Sequence, residues 1–284
     1  MPGLVIRGAS ESVPGLSSTS WLDDKGLRLQ IGEDGARRAP NTWIRAIVLH
    51  TTRGIPGGSD PRPQRVLPGL GPSRNSARSV NSWWSTNGQS AGAHLVVDFD
   101  GSVACLADLE LEQAYHATSV NPHTIGIEIA QGSGAELWDG QLDAVVTLVD
   151  WLTKRFRIQR QIPDKYRGAL QRLRTGGHDV VGVYGHRDQS RARGSGDPGD
   201  AIFARLAGCY EAFDLNAGAD LAMWRQRQRT LGVQADGLPG RATWEAICAF
   251  QRSRGLEETG MADSPTRLAL DASDTRPGYS SPAT

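Results

Sequence analysis

The sequence predicts an α/β or α+β domain with a mixed sheet, followed by a small helical unit. Three observations carry this expectation. The apolar run Ile44, Ala46, Ile47, Val48 and Leu49 reads as a buried strand that runs out at His50. Strand-like and helix-like stretches mix across 41–215, joined by both hairpin-length and crossover-length connections. The composition then shifts near Asn216-Ala-Gly-Ala219, where a domain boundary is placed. At 284 residues, one medium and one small domain is the default.

Bulk composition excludes several classes. Lys+Arg and Asp+Glu are both 31, so net charge supports neither a nucleic-acid partner nor a general membrane partner. No apolar run approaches roughly 18 residues, so stable membrane insertion is not expected. Residues 1–7 lack a basic segment followed by a sustained apolar one, so no secretory signal is expected. A substrate outside the cytoplasm would then be reached by another route. Cys105, Cys209 and Cys248 are scattered and odd in number, which outlines no disulfide framework; they read as small buried residues. A monomer is the expected state.

In chain order, residues 1–40 read as a peripheral extension with a short strand at 27–31. The Gly/Pro/Arg-rich stretch 53–75 is long for a loop inside a compact domain and is a candidate cleft rim. Ala77, Val80, Trp83 and Trp84 recur at helical spacing, and Asn87-Gly88 suits the helix end. His94–Phe99 and Ser102–Leu106 read as a hairpin around Asp100-Gly101. Thr124–Ile129 is a further apolar strand, and 139–157 is the strongest helix, with Leu142, Val145, Val146, Val149, Leu152 and Phe156 on one face. Residues 154–174 carry eight Lys/Arg against Asp164, which reads as a solvated face or as a patch for an anionic polymer. Val180–Tyr184 is a strand leading into His186, and Ile202, Leu206, Cys209 and Phe213 read as a closing helix.

An imidazole at the end of a core strand is held rigidly yet opens to a cleft, which suits a metal ligand as well as a structural histidine. His50 gains partners downstream in Gly185-His186-Arg-Asp188 and Gly196-Asp197-Pro-Gly199. Zinc hydrolases use three protein ligands and keep a fourth position open, and a His–His–Asp set meets that requirement. The short gap between His186 and Asp197 allows a loop to fold back onto the same ion, with Pro198 restricting Asp197 to extended conformations. Glu128, in the apolar Ile-Gly-Ile-Glu strand, is the best candidate general base, because a carboxylate buried there without a role is costly. Six histidines permit other sets, so spacing alone leaves the ligands open.

Five segments resemble, in order, the zinc-dependent N-acetylmuramoyl-L-alanine amidases, a family that includes phage lysozyme-amidases and peptidoglycan recognition proteins. They are Val48-Leu-His50-Thr-Thr, Ala91-Gly-Ala-His94-Leu-Val-Val-Asp98 with Asp100-Gly101, Ala114-Tyr-His116-Ala, Asn121 with Thr124-Ile-Gly-Ile-Glu128, and the His186 and Asp197 motifs. The resemblance implies an α/β catalytic domain at 41–215, its mixed central β-sheet flanked by helices. It implies zinc on His50, His186 and Asp197, with Glu128 as catalytic acid/base. The implied reaction hydrolyses the amide between N-acetylmuramic acid and L-alanine in peptidoglycan. His116 matches a position lining the substrate cleft, and His94 a supporting or structural one. Relatives commonly carry a Lys two residues before the third ligand, where this chain has Ser195; the alternatives are Arg193 or Arg191 as the cation for substrate, or a site without one.

Residues 220–273 resemble the three-helix peptidoglycan-binding domain often fused to wall hydrolases, through Trp224, Asp236-Gly237, Gly240, Thr243-Trp, Phe250-Gln251 and Thr259-Gly260. The implied role is a wall anchor that raises local substrate concentration. Residues 274–284 are Pro/Ser-rich and read as a flexible tail. The implied protein is an endolysin or autolysin. The rival readings are a non-catalytic peptidoglycan-binding protein, and a metal-free hydrolase built on His186-Arg-Asp188, which lacks a nucleophile elbow.

Overall fold

The computed structural model describes residues 3–29, 37–52, 54–55, 58–59, 64–86, 91–163, 181–189, 196–213, 218–237 and 239–273. The chain opens with β1 (Leu4–Ile6), β2 (Ala9–Glu11) and β3 (Ser18–Ser20), then β4 (Ala46–Thr51), the small pair β5 (Gly54–Ile55) and β6 (Gly58–Ser59), and β7 (Arg65–Leu67). Next come α1 (Ser76–Thr86), β8 (Leu95–Val97), β9 (Val103–Cys105), β10 (Thr124–Ile129), β11 (Glu136–Trp138) and α2 (Asp139–Phe156). The domain continues through β12 (Gln161–Pro163), β13 (Gly182–Gly185), α3 (His186–Gln189), α4 (Asp200–Leu206) and β14 (Glu211–Phe213). Three helices follow: α5 (Gly218–Thr230), α6 (Arg241–Ser253) and α7 (Ser264–Ala272).

The central sheet has the order β13-β4-β10-β8-β9-β3. It is mixed, because β8 and β9 pair antiparallel while the other neighbours run parallel. Strand periodicity sorts its two faces. Ile47, Leu49, Ile125, Ile127, Ile129 and Val183 join the main core with Leu142, Val145, Leu148, Val149, Leu152 and Phe156 of α2. Ala46, Val48 and Tyr184 point the other way, into a smaller cluster with Ala117 and Val120. Both faces are therefore covered, which is why β4 reads as an unbroken apolar run rather than an alternating one. Each large aliphatic side chain so buried contributes about 1.5–3 kcal/mol. Gln141 fixes the start of α2 by accepting from Trp138 N–H (3.3 Å) and donating to Ala130 O (2.8 Å).

Several expectations are corrected. Residues 3–20 are not peripheral: Leu4, Val5 and Ile6 belong to the main core, and β3 is an edge strand of the central sheet. Three-residue strands are too short to show a periodicity. The strand expected at 27–31 is instead a 3₁₀ turn at Lys25–Leu27 where described, with Asp24 accepting from Gly26 N–H. The closing helix ends at Leu206, and Phe213 lies in β14. Of the three cysteines only Cys105 is buried. The β8–β9 loop spans the five residues 98–102, Gly101 taking φ +77° and donating to Asp98 O. Asp98 also receives Arg74 N–H and the Ser76 N–H and hydroxyl, so the hairpin caps α1. Trp84 of α1 is buried whereas Trp83 is exposed. The described cations of the basic run, Lys154, Arg155, Arg157 and Arg160, each pair with a carboxylate, which favours a solvated face; residues 164–174 lie outside the described residues.

The C-terminal helices enclose Trp224, Ile247 and Ala262. Two buried glutamines organise them in the same way. Gln228 accepts from Gly237 N–H (2.7 Å) and donates to the Thr243 hydroxyl (3.2 Å). Gln251 accepts from Gly260 N–H (2.9 Å) and donates to the Thr266 hydroxyl (2.8 Å). Each amide joins a loop to the following helix, as buried polar groups require. Gly260, at φ +69°, lies under Trp244, where an added Cβ would approach the indole to 2.2 Å. This unit touches the first through Gln159, whose amide donates to Gly260 O (3.0 Å), and through the Arg157–Glu245 pair (2.8 Å). Among the described residues no helix is long and apolar enough to cross a membrane.

Candidate metal centre

Parallel pairing delivers the candidate residues to one end of the sheet. Glu128 of β10 is the register partner of His50 in β4, and Gly185 of β13 is the partner of Leu49, so His186 follows into the same row. Directly paired residues of parallel strands leave the sheet on one face. That row lies at the carboxyl ends of the strands, where open α/β sheets bind ligands.

Asp197 reaches the row from a loop tied back to β4. Thr51 N–H donates to Asp197 Oδ1 (3.2 Å), and the Thr51 hydroxyl donates to Gly196 O (2.9 Å). Arg187 N–H donates to Asp197 O (2.7 Å). The Asp197–Pro198 peptide is cis. Thr51 is a supporting residue that spacing arguments missed; its only signal was its place beside His50 in His50-Thr-Thr.

His50, His186 and Asp197 are all buried, and their candidate donor atoms lie within 4.8 Å of one another. His50 Nδ1 stands 3.8 Å from Asp197 Oδ1, and His186 Nδ1 stands 3.3 Å from Asp197 Oδ2. His186 Nδ1 is buried yet makes no hydrogen bond, so this short approach is not one. Zinc donors at about 2.0–2.2 Å from the ion sit about 3.4 Å apart in tetrahedral geometry. Two imidazole nitrogens and a carboxylate at these separations suit such an ion, whose charge would offset the cost of burying Asp197. The residues present therefore fit the group.

The neighbouring residues have structural partners. Asp188 accepts from Gly185 N–H (2.7 Å), and burial raises its pKa to about 6. Arg187 bridges to Asp200 at the start of α4 (2.8 Å). The His186-Arg-Asp188 motif thus spends its Arg and Asp on the strand-to-helix turn. His116 is buried with its ring against that of His50, the centroids 5.2 Å apart. His94 accepts from Gly126 N–H at Nδ1 (3.0 Å), and burial holds its pKa well below the usual histidine range. Its Nε2 faces the guanidinium of Arg38 (2.9 Å). Arg38 donates to the carbonyls of Asn121 (2.9 Å), Pro122 and Thr124 (2.7 Å), and burial draws its pKa down to about 9. Arg38 was missed because it sits in the stretch read as an extension. His123 contacts Trp43 O (3.2 Å). Arg191, Arg193, Ser195 and His178 lie outside the described residues.

The sequence model of the N-acetylmuramoyl-L-alanine amidase family matches residues 39–200, and that of a peptidoglycan binding domain matches 229–270. No curated protein matches the chain. Among solved structures, the chain is similar to the Drosophila peptidoglycan recognition protein SD at 16% identity, covering 67% of this chain and 93% of that one, with a TM-score of 0.42. It is similar to the N-acetylmuramoyl-L-alanine amidase LysC of Clostridium intestinale at 15% identity, covering 68% and 98%, with a TM-score of 0.38. It is also similar to the Ph2119 endolysin of a Thermus scotoductus bacteriophage at 21% identity, covering 62% and 90%, with a TM-score of 0.37. With a family match over more than half its length, the chain belongs to the N-acetylmuramoyl-L-alanine amidase family and carries a peptidoglycan-binding domain behind it.

Proposed function

We propose that this protein hydrolyses peptidoglycan at the amide joining the lactyl group of N-acetylmuramic acid to L-alanine, as an endolysin or autolysin. One observation carries the reading: a family member with a complete, buried His50–His186–Asp197 donor set. Those three residues would hold zinc. A zinc ion held there would polarise the scissile carbonyl and lower the pKa of water in its open position towards about 7. Glu128, beside His50 in the sheet, takes a proton from the attacking water and returns one to the leaving amine of L-alanine. Thr51 keeps Asp197 in place from the backbone. Arg193, with Arg191 as the alternative, is the cation proposed for the developing oxyanion. Residues 41–215, together with the strands of 3–20 that complete their core and sheet, form the proposed catalytic domain, with 220–273 as the proposed wall anchor.

The test is mass spectrometry of purified peptidoglycan digested by the protein, with and without a chelator back-titrated with zinc. New L-alanyl amino termini on intact glycan strands, lost on chelation and restored by zinc, are expected. Wall binding without new termini would replace the hydrolase with a recognition protein.

A further inference from the structure

We propose that the cavity between the two units is a second binding site, which takes a neutral secondary amide of the wall polymer. It rests on the peptidoglycan reading for the source of that amide, and on neither zinc nor turnover.

The cavity holds about 80 Å³ and is built from both units. Gln159, Arg160 and Gln161 line it from the first unit, at and just before β12. Trp224, Met261 and Ala262 line it from the second. The hydrogen bond from Gln159 to Gly260 O (3.0 Å) joins the two sides. Exposed Cys209 also lines it, so the cavity reaches the surface. It is separate from the candidate metal centre. Gln161 donates to Val181 O (3.0 Å), which precedes the first residue of β13, whereas His186 follows the last. About 13 Å of extended strand lies between them.

Three polar atoms of the lining side chains are buried with no hydrogen-bond partner among the described residues. They are Trp224 Nε1, Arg160 Nε and Gln161 Oε1. Buried polar atoms are nearly always paired, so three around one cavity mark it as a place for a polar ligand. Trp224 is 1% exposed and Gln161 2%, so neither side chain is solvated from outside.

Their chemistry selects the ligand. Indole and guanidinium N–H groups only donate, and a carboxamide oxygen only accepts. An anion is disfavoured, because Arg160 already pairs with Asp150 and Asp263 adds a carboxylate to the lining. A neutral group with both a carbonyl and an N–H meets all three atoms, and a secondary amide is such a group. Met261 and Ala262 give apolar surface to the carbon beside it. Peptidoglycan carries secondary amides in two places, the acetamido groups of its sugars and the peptide bonds of its stems.

The test follows the assigned Trp224 indole N–H of the full chain by ¹H–¹⁵N NMR. Three probes are titrated: the N-acetylglucosamine disaccharide, the same disaccharide without its acetyl groups, and L-alanyl-D-isoglutamine. A saturable shift with the acetylated sugar or with the dipeptide is expected, and whichever acts names the source. Arg160→Lys keeps the charge facing Asp150 but loses the Nε donor, so affinity for that probe should fall about tenfold. A Trp224 signal that no probe moves would mean that water alone fills the cavity, and would overturn the proposal. So would equal shifts with and without the acetyl groups, or an unchanged affinity in a folded Arg160→Lys. If the chain still pellets with insoluble wall while the Trp224 signal stays fixed, this site alone falls. If neither responds, the peptidoglycan reading falls with it.

Discussion

His50 and Glu128 are register partners on neighbouring parallel strands. A candidate metal ligand and a candidate proton carrier are therefore spaced by backbone hydrogen bonds of the sheet. Such a pair resists loop motion, and the two roles can be separated by substitution. His50→Ala, His186→Ala and Asp197→Asn should each lose bound zinc and amidase turnover together. Glu128→Gln should keep stoichiometric zinc while turnover falls about 10²–10⁴-fold. Metal analysis alongside turnover on purified wall checks both, and an Asp197→Asn variant with full zinc and full activity would remove the third ligand.

Gly126→Ala brings a methyl to 2.5 Å from His116 Cγ. Either the ring or β10 must shift, so a stability loss of about 1–3 kcal/mol is expected. Zinc affinity should fall with it, because His116 contacts His50. Urea unfolding of the metal-free protein and a zinc titration measure the two effects.

His94 adds a pH dependence. Burial, and then the Arg38 guanidinium, hold it neutral in the folded protein, while in the unfolded chain it titrates near about 6.5. Below that pH the unfolded state binds more protons, so the His94 contribution to stability is present above about pH 6.5 and is lost as pH falls. Asp188 acts oppositely: its folded pKa of about 6 makes the folded state the tighter proton binder down to about pH 4. The clean measurement is thus a difference. Between pH 7.5 and 5.5 the wild type should lose stability more steeply than His94→Gln, by up to about 1.4 kcal/mol per pH unit. Equal slopes would contradict the neutral His94.

Truncation after Asn216 removes the Gln159–Gly260 hydrogen bond and the exposed Arg157–Glu245 pair. The first contributes about 1 kcal/mol and the second about 0–1 kcal/mol. The truncated chain should therefore fold with a slightly lower Tm and keep turnover on soluble fragments. Its affinity for insoluble wall should drop sharply. Equal wall binding by the two forms, in a pelleting assay, would refute the anchor.

Wherever a single element carried enough residues to display its period, local order could be read directly. β4 and β10 were legible as apolar runs because both faces of the sheet are covered, and α2 because Leu142, Val145, Val149, Leu152 and Phe156 recur on one face. The candidate donor types, and Glu128 as a candidate carboxylate, could be named from motifs in order. Residues 3–20 were not, since Leu4–Ile6 is too short to announce its burial.

By itself, then, the sequence determined the family, the main strands and helices, and the residue types offered to a metal. Only the tertiary structure decided that His50, His186 and Asp197 converge, because convergence depends on the β13-β4-β10 register and on the Thr51 tether to a loop far along the chain. It also decided that Arg38 and His116 are interior. Burial and hydrogen-bond direction arise between segments remote in sequence, and no local periodicity encodes them.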